Sequence, residues 1–194
     1  LIVSIASYAC VESSEAALEE DYVSYVNPFI GTGGHGHTFP GPVVPHGMIQ
    51  PGPDTRIDGW DSCSGYYYPD STINGFSHTH ISGTGCCDYG DILLMPTVGE
   101  QRYEPTGLAS QQVAYASAFS HDSEVAVPGY YTVYLKTYGV KAELSATTRA
   151  AIHRYTFPQS SESGFILDLD YSLQRQENKE MVIDVLSDTE IRGY

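Results

Sequence analysis

Basic residues are scarce in this chain of 194 residues. Lysine and arginine total 9 against 24 aspartates and glutamates, which gives a formal net charge of −15. Proteins that bind nucleic acids hold the phosphates with clusters of Lys and Arg, and the sequence has no such cluster. The composition therefore argues against a nucleic-acid partner and fits an acidic, soluble surface.

Long apolar runs are also missing, since none approaches the roughly 18–20 residues that a membrane-spanning helix needs. The first ten residues, LIVSIASYAC, form a short apolar run that ends in small residues before Cys10. This pattern is typical of the rear part of a secretory signal, and its ending resembles a lipoprotein signal in which the cysteine carries lipid. We expect residues 1–21 to be a signal or lipoprotein remnant with an acidic tether. An ordinary cleaved signal is the alternative, and either predicts export to the periplasm or cell surface.

Cysteine is infrequent, with four residues in the chain. If Cys10 carries lipid, Cys63, Cys86 and Cys87 remain. An exported compartment permits a disulfide, and pairing Cys63 with either Cys86 or Cys87 leaves one thiol over. The absence of a CxxC spacing argues against a structural zinc site.

Helical periodicity is absent from residues 22–100, where no apolar pattern of 3.6-residue period persists for three turns. This part is rich in Gly and Pro, and it is expected to form loops between short strands. DILLMPTVG (91–99) is the first segment that reads clearly as a buried strand.

The second half is enriched in β-branched and aromatic residues over segments 129–139, 140–158, 164–173 and 181–194. Within the third segment, Phe165, Leu167 and Leu169 fall on one strand face and two aspartates, Asp168 and Asp170, on the other. Strands at this spacing predict an all-β fold, an antiparallel β-sandwich with long Gly/Pro-rich loops, over residues 22–194. The ending TEIRGY reads as a strand, so we expect the front piece of a longer protein.

GTGGHG (31–36) matches the dinucleotide-binding pattern GxGxxG letter for letter. That site needs a preceding strand and a following helix, whose N-terminus meets the phosphate. Pro28 precedes the glycines and three prolines follow in HTFPGPVVP, so no helix can begin there. Nucleotide binding is rejected.

Two His-x-His pairs, His35 with His37 and His78 with His80, are candidate ligands. In an extended chain each pair lies on one face, as strand-borne metal ligands do. Alternatively, histidines in Gly-rich loops form hydrogen bonds to the backbone or to a hydroxyl-rich ligand. If the pairs bind metal, imidazole favours zinc over calcium, which prefers oxygen.

Trp60, the single tryptophan, lies between Asp58 and Asp61 in IDGWDSCSGYYY. A flat apolar ring beside carboxylates suits the CH face of a pyranose and its hydroxyls. A core tryptophan is the structural alternative. Glycoside hydrolysis further needs two facing carboxylates, and no spacing among the aspartates of residues 54–91 singles out a pair. The residues therefore indicate one wall of a binding cleft.

Three long segments carry a family resemblance: YVNPFIGTGGHGHTFPGPVVPHGMIQPGPDTR (25–56), GWDSCSGYYYPDSTINGFSHTHISGTGCCDYGDILLMPT (59–97) and FSHDSEVAVPGYYTVYL (119–135). Together they resemble the N-terminal domain of glycoside hydrolase family 92, and the resemblance covers about residues 22–194. It implies an exported, calcium-dependent exo-α-mannosidase that inverts configuration and acts on mannose-containing glycans such as mannan, as in gut Bacteroidetes. It also implies a β-sandwich followed by a larger helical C-terminal domain, with the active site between the two.

The same resemblance implies roles for particular residues. The catalytic carboxylates and most calcium ligands belong to the C-terminal catalytic domain, so none is expected in this chain. By position, Trp60 would meet the sugar beside the scissile bond. The other residues implied around the cleft are Asp61, Cys63, His35, His37, His78 and His80.

Two positions depart from the family pattern. Cys87 stands where glycine is usual, in a tight loop where positive φ is expected. His46 stands where phenylalanine is usual. These departures bear on substrate preference and not on the family. Two alternatives stay open: a stand-alone carbohydrate-binding β-sandwich, and a zinc protein that uses the two His-x-His pairs.

Overall fold

The structure is a computed structural model that describes residues 21–103, 112–175 and 180–194. Cys10 and the rest of segment 1–20 lie outside the described residues, so the lipid anchor and the tether stay predictions. Within the described ranges, no helix is long and apolar enough to cross a bilayer.

Twelve short strands make up the described fold. In chain order they are β1 (Gly52–Asp54), β2 (Thr72–Ile73), β3 (Gly75–Ser77), β4 (Leu93–Val98), β5 (Ser117–Ala118), β6 (Glu124–Val127), β7 (Tyr130–Leu135), β8 (Val140–Ala146), β9 (Ala151–Thr156), β10 (Ser163–Asp168), β11 (Ile183–Ser187) and β12 (Glu190–Gly193). Helical elements in the described residues are 3-10 segments of three or four residues: Tyr22–Tyr25, Trp60–Ser62, His121–Ser123 and Leu173–Arg175. The expectation that residues 22–100 hold no long helix is confirmed.

Two four-stranded sheets form the body of the fold, and every strand pairing is antiparallel. The first sheet has the order β1-β3-β4-β10, and the second has the order β6-β7-β8-β9. Strands β2 and β5 form one small ribbon, and β11 and β12 form another. The predicted antiparallel all-β class is therefore confirmed.

The core lies between the two sheets. On β7, Tyr131, Val133 and Leu135 are fully buried, whereas the alternate residues are half-buried or exposed. They share one apolar cluster with Phe76 on β3 and Met95 on β4. Each such buried side chain contributes about 1.5–3 kcal/mol through the apolar area removed from water.

Strand β10 shows the predicted alternation, but Phe165 and Leu167 do not face the core. Ile166 is buried, while Phe165 is 53% exposed. Asp168 lies on the Ile166 side, where its carboxylate accepts hydrogen bonds from the Tyr115 hydroxyl and from the backbone N–H of Tyr171. A carboxylate satisfied in this way can sit at the edge of a core.

The opposite face of β10 borders a groove of about 570 Å³. Phe165 and Leu167 line one side, and residues of the β11-β12 hairpin line the other. His78 and His153 also line this groove, and their rings stack with centroids 4.8 Å apart.

The buried carboxylate of Glu124 links the second sheet to the loop that carries Tyr66 and to the 3-10 segment His121–Ser123. Glu124, at the start of β6, accepts hydrogen bonds from the Tyr66 hydroxyl at 2.9 Å and the Tyr131 hydroxyl at 2.6 Å. Its other contact is Nδ1 of His121 at 2.6 Å. Burial, and then the negative charge of Glu124, raise the pKa of Tyr131 well above its ordinary value.

Candidate functional site

A tight 3-10 turn presents Trp60 to solvent. Gly59 precedes the turn with φ of 116°, a conformation that favours glycine because it has no Cβ to clash. The backbone N–H of Ser62 donates to the Gly59 carbonyl at 3.1 Å, and Ser62 is buried. The turn is thus fixed by its buried end, and the Trp60 side chain at its start stays 56% exposed.

Two imidazole rings contact the Trp60 indole. His37 meets it edge-on, with centroids 4.4 Å apart and planes at 82°. His35 lies 5.1 Å away at 51°, and its Nδ1 is 2.5 Å from Oδ1 of Asp61. A hydrogen bond to an ionised carboxylate is among the stronger kinds, so Asp61 fixes the orientation of His35.

His37 has an unusual environment for a loop histidine. Its backbone adopts a left-handed φ of 55°, and its side chain is buried. The ring Nε2 is buried and has no hydrogen-bond partner among the described residues. A buried polar atom without a partner costs about 1–3 kcal/mol.

The second loop of the site, residues 84–87, lies behind the indole. A Cβ built on Gly85 would lie 2.6 Å from Nε1 of Trp60, so a side chain does not fit there. The loop is also joined to the Trp60 turn through Cys63, whose thiol donates to the Thr84 carbonyl at 2.9 Å.

The three cysteines of the described region are thiols, and neither predicted disulfide is formed in the structure. Cys63 and Cys87 are buried, whereas Cys86 is exposed. Burial raises the pKa of Cys63. Burial, followed by the proximity of Cys63, raises the pKa of Cys87 to about 11.

The other histidine pair does not join the Trp60 cluster. His80 is buried, and its ring nitrogens contact the Gln50 carbonyl at 2.7 Å and Oδ1 of Asp54 at 2.8 Å. Nε2 of His80 also lies 3.1 Å from the Ser77 hydroxyl. This serine, histidine and aspartate do not form a nucleophilic triad, because serine and aspartate share one nitrogen and all three residues are buried.

His78 lies in the groove beside β10. Its Nδ1 is 2.7 Å from the Ile92 carbonyl, and its ring stacks on His153. The structure therefore gathers His35, His37, Trp60, Asp61 and Cys63 in one place, and it positions His78 and His80 elsewhere.

The described residues contain no group of three or more His, Cys, Asp or Glu side chains arranged to hold a metal ion. The two His-x-His pairs do not converge, and His37 is not in an extended conformation. Calcium takes six to eight oxygen ligands. Around Trp60 the carboxylate of Asp61 is bonded to His35, the carboxylate of Asp58 lies 3.9 Å from the Arg175 side chain, and imidazoles and thiols are also present. Two carboxylates supply fewer oxygens than that, so the described side chains around Trp60 do not by themselves form a calcium site.

The structure shows the conformations of the two residues, Cys87 and His46, that depart from the family pattern. Cys87 does not have the positive φ that we expected for it; the left-handed residues nearby are Tyr89, Ile92 and two glycines, Gly83 and Gly90. Its side chain instead turns inward, and its thiol reaches the Gly59 carbonyl at 3.5 Å. His46 is exposed and adopts φ of 58°.

A model of the glycosyl hydrolase family 92 N-terminal domain matches residues 25–194. The chain belongs to glycoside hydrolase family 92. A protein of Arthroderma benhamiae named an uncharacterized secreted glycosidase is 32% identical over 153 residues, which are 75% of this chain and 19% of that protein.

Solved structures of family 92 share the fold. An α-mannosidase of Bacteroides thetaiotaomicron in complex with mannoimidazole superposes with a TM-score of 0.84 at 41% identity, over 90% of this chain and 23% of that one. An inverting mannosidase of the same organism gives a TM-score of 0.64 at 35% identity, over 77% of this chain and 19% of that one. The chain thus spans about a quarter or less of the length of these family members.

Sequence reasoning missed two parts of the site. Gly85 lies against the indole, and the carbonyl of Thr84 accepts the hydrogen bond from Cys63. The only sequence signal for these two residues is the run SGTG before the adjacent cysteines. Such a run predicts a tight loop, but it does not reveal which side chain the loop approaches.

Proposed function

We propose that this chain is the N-terminal domain of an exported, calcium-dependent, inverting exo-α-mannosidase, and that it supplies one wall of the mannose-binding cleft. Family membership and the mannosidases among the solved relatives support the assignment. The observation that carries the cleft wall is the exposed indole of Trp60 with two histidine rings against it.

The geometry suits a terminal pyranose. The indole offers a flat apolar surface to the CH face of the sugar, and the surrounding polar atoms provide hydrogen bonds to hydroxyls. His37 lies edge-on to the indole, and His35, held by Asp61, offers a second ring that is exposed. Together they orient the sugar against the wall.

The acid and base of the reaction are proposed to lie in the C-terminal catalytic domain. Inversion needs two carboxylates about 6.5–9.5 Å apart, one to protonate the leaving oxygen and one to activate water. Of the two carboxylates that flank Trp60, Asp61 is engaged by His35 and Asp58 lies 3.9 Å from the Arg175 side chain. We likewise propose that the C-terminal domain holds the calcium, since the described residues contain no group of three or more His, Cys, Asp or Glu side chains that could hold a metal ion.

Export is part of the proposal. The apolar segment before Cys10 and the name of the fungal relative, a secreted glycosidase, support it. Attachment of lipid at Cys10 would place the enzyme on a membrane surface at the periplasm or cell exterior.

Hydrolysis of an aryl α-mannoside by the full-length protein and by residues 22–194 alone tests the division of labour. We expect the full-length protein to release β-mannose, as NMR of the first product shows, and to lose activity in EDTA. We expect the isolated chain to be inactive. Full-length rates from the isolated chain would contradict the proposal.

A stand-alone carbohydrate-binding module is the second candidate, favoured by the exposure of Trp60 in this chain alone. Retention of the isolated chain on mannan, lost in Trp60→Ala, together with an inactive full-length protein, would support that alternative.

A further inference from the structure

Two thiols join the loops that frame Trp60. The Cys63 thiol donates to the carbonyl of Thr84, three residues before Cys87, and the Cys87 thiol donates to the carbonyl of Gly59, four residues before Cys63. Each thiol therefore lies against the other's loop. The two side chains are also close enough for each to influence the pKa of the other.

Burial separates this pair from the neighbouring Cys86. Cys63 is fully buried and Cys87 is 7% exposed, whereas Cys86 faces solvent. The sequence allowed Cys63 to pair with either neighbour, but the structure brings Cys87 to it.

We propose that Cys63 and Cys87 are joined by a disulfide in the mature protein, and that this bridge clamps the Trp60 turn to the 84–87 loop. The oxidant is a disulfide of the glutathione class. The Cys87 thiolate attacks it, forms a mixed disulfide and releases one glutathione thiolate. The Cys63 thiolate then attacks the sulfur of Cys87 and releases the second glutathione. Two protein thiols are oxidised, one glutathione disulfide is reduced to two thiols, and the two protons pass to the released thiolates.

The environment of the pair determines when the bridge forms. Thiolates are the attacking species, and burial raises the pKa of both thiols. In the folded protein exchange is therefore slow near neutral pH and faster at alkaline pH. The bridge forms most readily during folding, and once buried it resists reductants.

The bridge bears directly on the candidate site. Gly85 lies two residues before Cys87, and a Cβ added there would lie 2.6 Å from Nε1 of Trp60. Closing the loop between Cys63 and Cys87 restricts the unfolded chain, and it prevents the 84–87 loop from moving away from the indole.

Peptide mapping without reductant tests the pair in the full-length protein. The protein is incubated with glutathione disulfide at about pH 9, where more of the Cys87 thiol is ionised, then denatured and alkylated. We expect a peptide containing Cys63 linked to the peptide containing Cys87, with loss of two hydrogen atoms. Reduction should lower Tm by about 5 °C or more.

The matched control is Cys86→Ser, which removes the exposed neighbour and leaves one assignment for the linked peptide. We expect Cys86→Ser to keep the bridge and the Tm shift, and Cys87→Ser to lose both. If Cys87→Ser does not fold, the peptide map of Cys86→Ser alone shows whether Cys63 and Cys87 are linked. Complete alkylation of both cysteines in Cys86→Ser, or a wild-type link through Cys86, would overturn the inference. Neither result depends on which glycoside the enzyme cleaves.

Discussion

The Trp60 side chain is exposed at the start of a turn whose other end is anchored in the protein. Ser62 is buried at one end of the turn, Gly59 permits the left-handed entry, and Gly85 backs the indole from the next loop. A large apolar ring in solvent loses the favourable burial that a core position would provide. Its position beside His35 and His37 is consistent with a ring kept available for a ligand.

Replacement of Gly85 by alanine tests the support behind that ring. The added Cβ would lie 2.6 Å from Nε1 of Trp60 and would displace the indole. We expect Gly85→Ala to lower kcat/KM of the full-length enzyme on an aryl α-mannoside roughly 10- to 100-fold, because small misplacements in a site are costly. Steady-state kinetics measure this.

The control for that experiment is Gly33→Ala. A Cβ on Gly33 meets no atom nearer than 3.8 Å, and its φ is not left-handed. It should leave kcat/KM within about twofold of wild type. Equal kinetics for both variants would show that the 84–87 loop does not position Trp60.

At the scale of elements, β9 carries a pH-sensitive residue. Burial, and then the nearby His78, lower the pKa of His153 to about 4. In the unfolded chain an ordinary histidine has a pKa of about 6.5. The folded protein therefore binds fewer protons than the unfolded chain between these values, and stability falls as pH falls from about 6.5 towards 4.

Urea unfolding of wild type and His153→Phe at several pH values tests this. Between pH 7 and 4, we expect the free energy of unfolding of the wild type to fall by up to about 3 kcal/mol more than that of the variant. The matched control is His46→Asn, at an exposed histidine, which should follow the wild-type curve. Parallel curves for wild type and His153→Phe would contradict the account.

Glu124 connects β6, β7 and the loop that carries Tyr66. Replacement by glutamine keeps the shape of the side chain but removes the negative charge of the carboxylate. That carboxylate accepts hydrogen bonds from two tyrosine hydroxyls and contacts the His121 ring. We expect Glu124→Gln to cost about 2–4 kcal/mol of unfolding free energy, because hydrogen bonds to a buried charge are lost.

Thermal unfolding should show Glu124→Gln lower in Tm by about 5–10 °C. Asp122→Asn, two residues away and on the surface, is the control and should shift Tm by less than about 2 °C. A similarly small shift for Glu124→Gln would mean that the carboxylate does not hold these elements together.

The positions of strands were easier to predict from the sequence than which face of a strand points to the core. Segment 91–99 and segments 129–158 form strands as expected, because their β-branched and aromatic content matches a pleated surface. On β10, however, Ile166 faces the core and Phe165 borders a groove. Local alternation cannot show this, because the partner of Asp168 is Tyr115, 53 residues away.

The two histidine pairs make the same point about the site. Both have the spacing His-x-His, yet His35 and His37 lie on Trp60 while His80 is buried on Asp54. Only contacts between distant segments separate these outcomes. The chemistry of the residues indicated a cleft wall, and the fold determines which of them lie together around Trp60.

At the scale of the whole molecule, we propose that the chain provides a scaffold and one wall of the cleft. Its two sheets enclose the core, and the Trp60 cluster lies on loops outside that core. The relatives of solved structure are about four times longer or more than the matched region. We therefore propose that sugar binding is shared between this domain and the rest of the enzyme, and that the chemistry takes place in the latter.

The kinetics of Trp60→Ala in the full-length enzyme test this account most directly, with Tyr134→Ala as the matched control. Tyr134 is similarly exposed on the outer face of the second sheet, away from the site. We predict that Trp60→Ala lowers kcat/KM on an aryl α-mannoside about 100-fold, roughly 2.7 kcal/mol, with Tm unchanged, and that Tyr134→Ala has little effect. Wild-type kinetics in Trp60→Ala would contradict the proposal that this domain forms a wall of the mannose site.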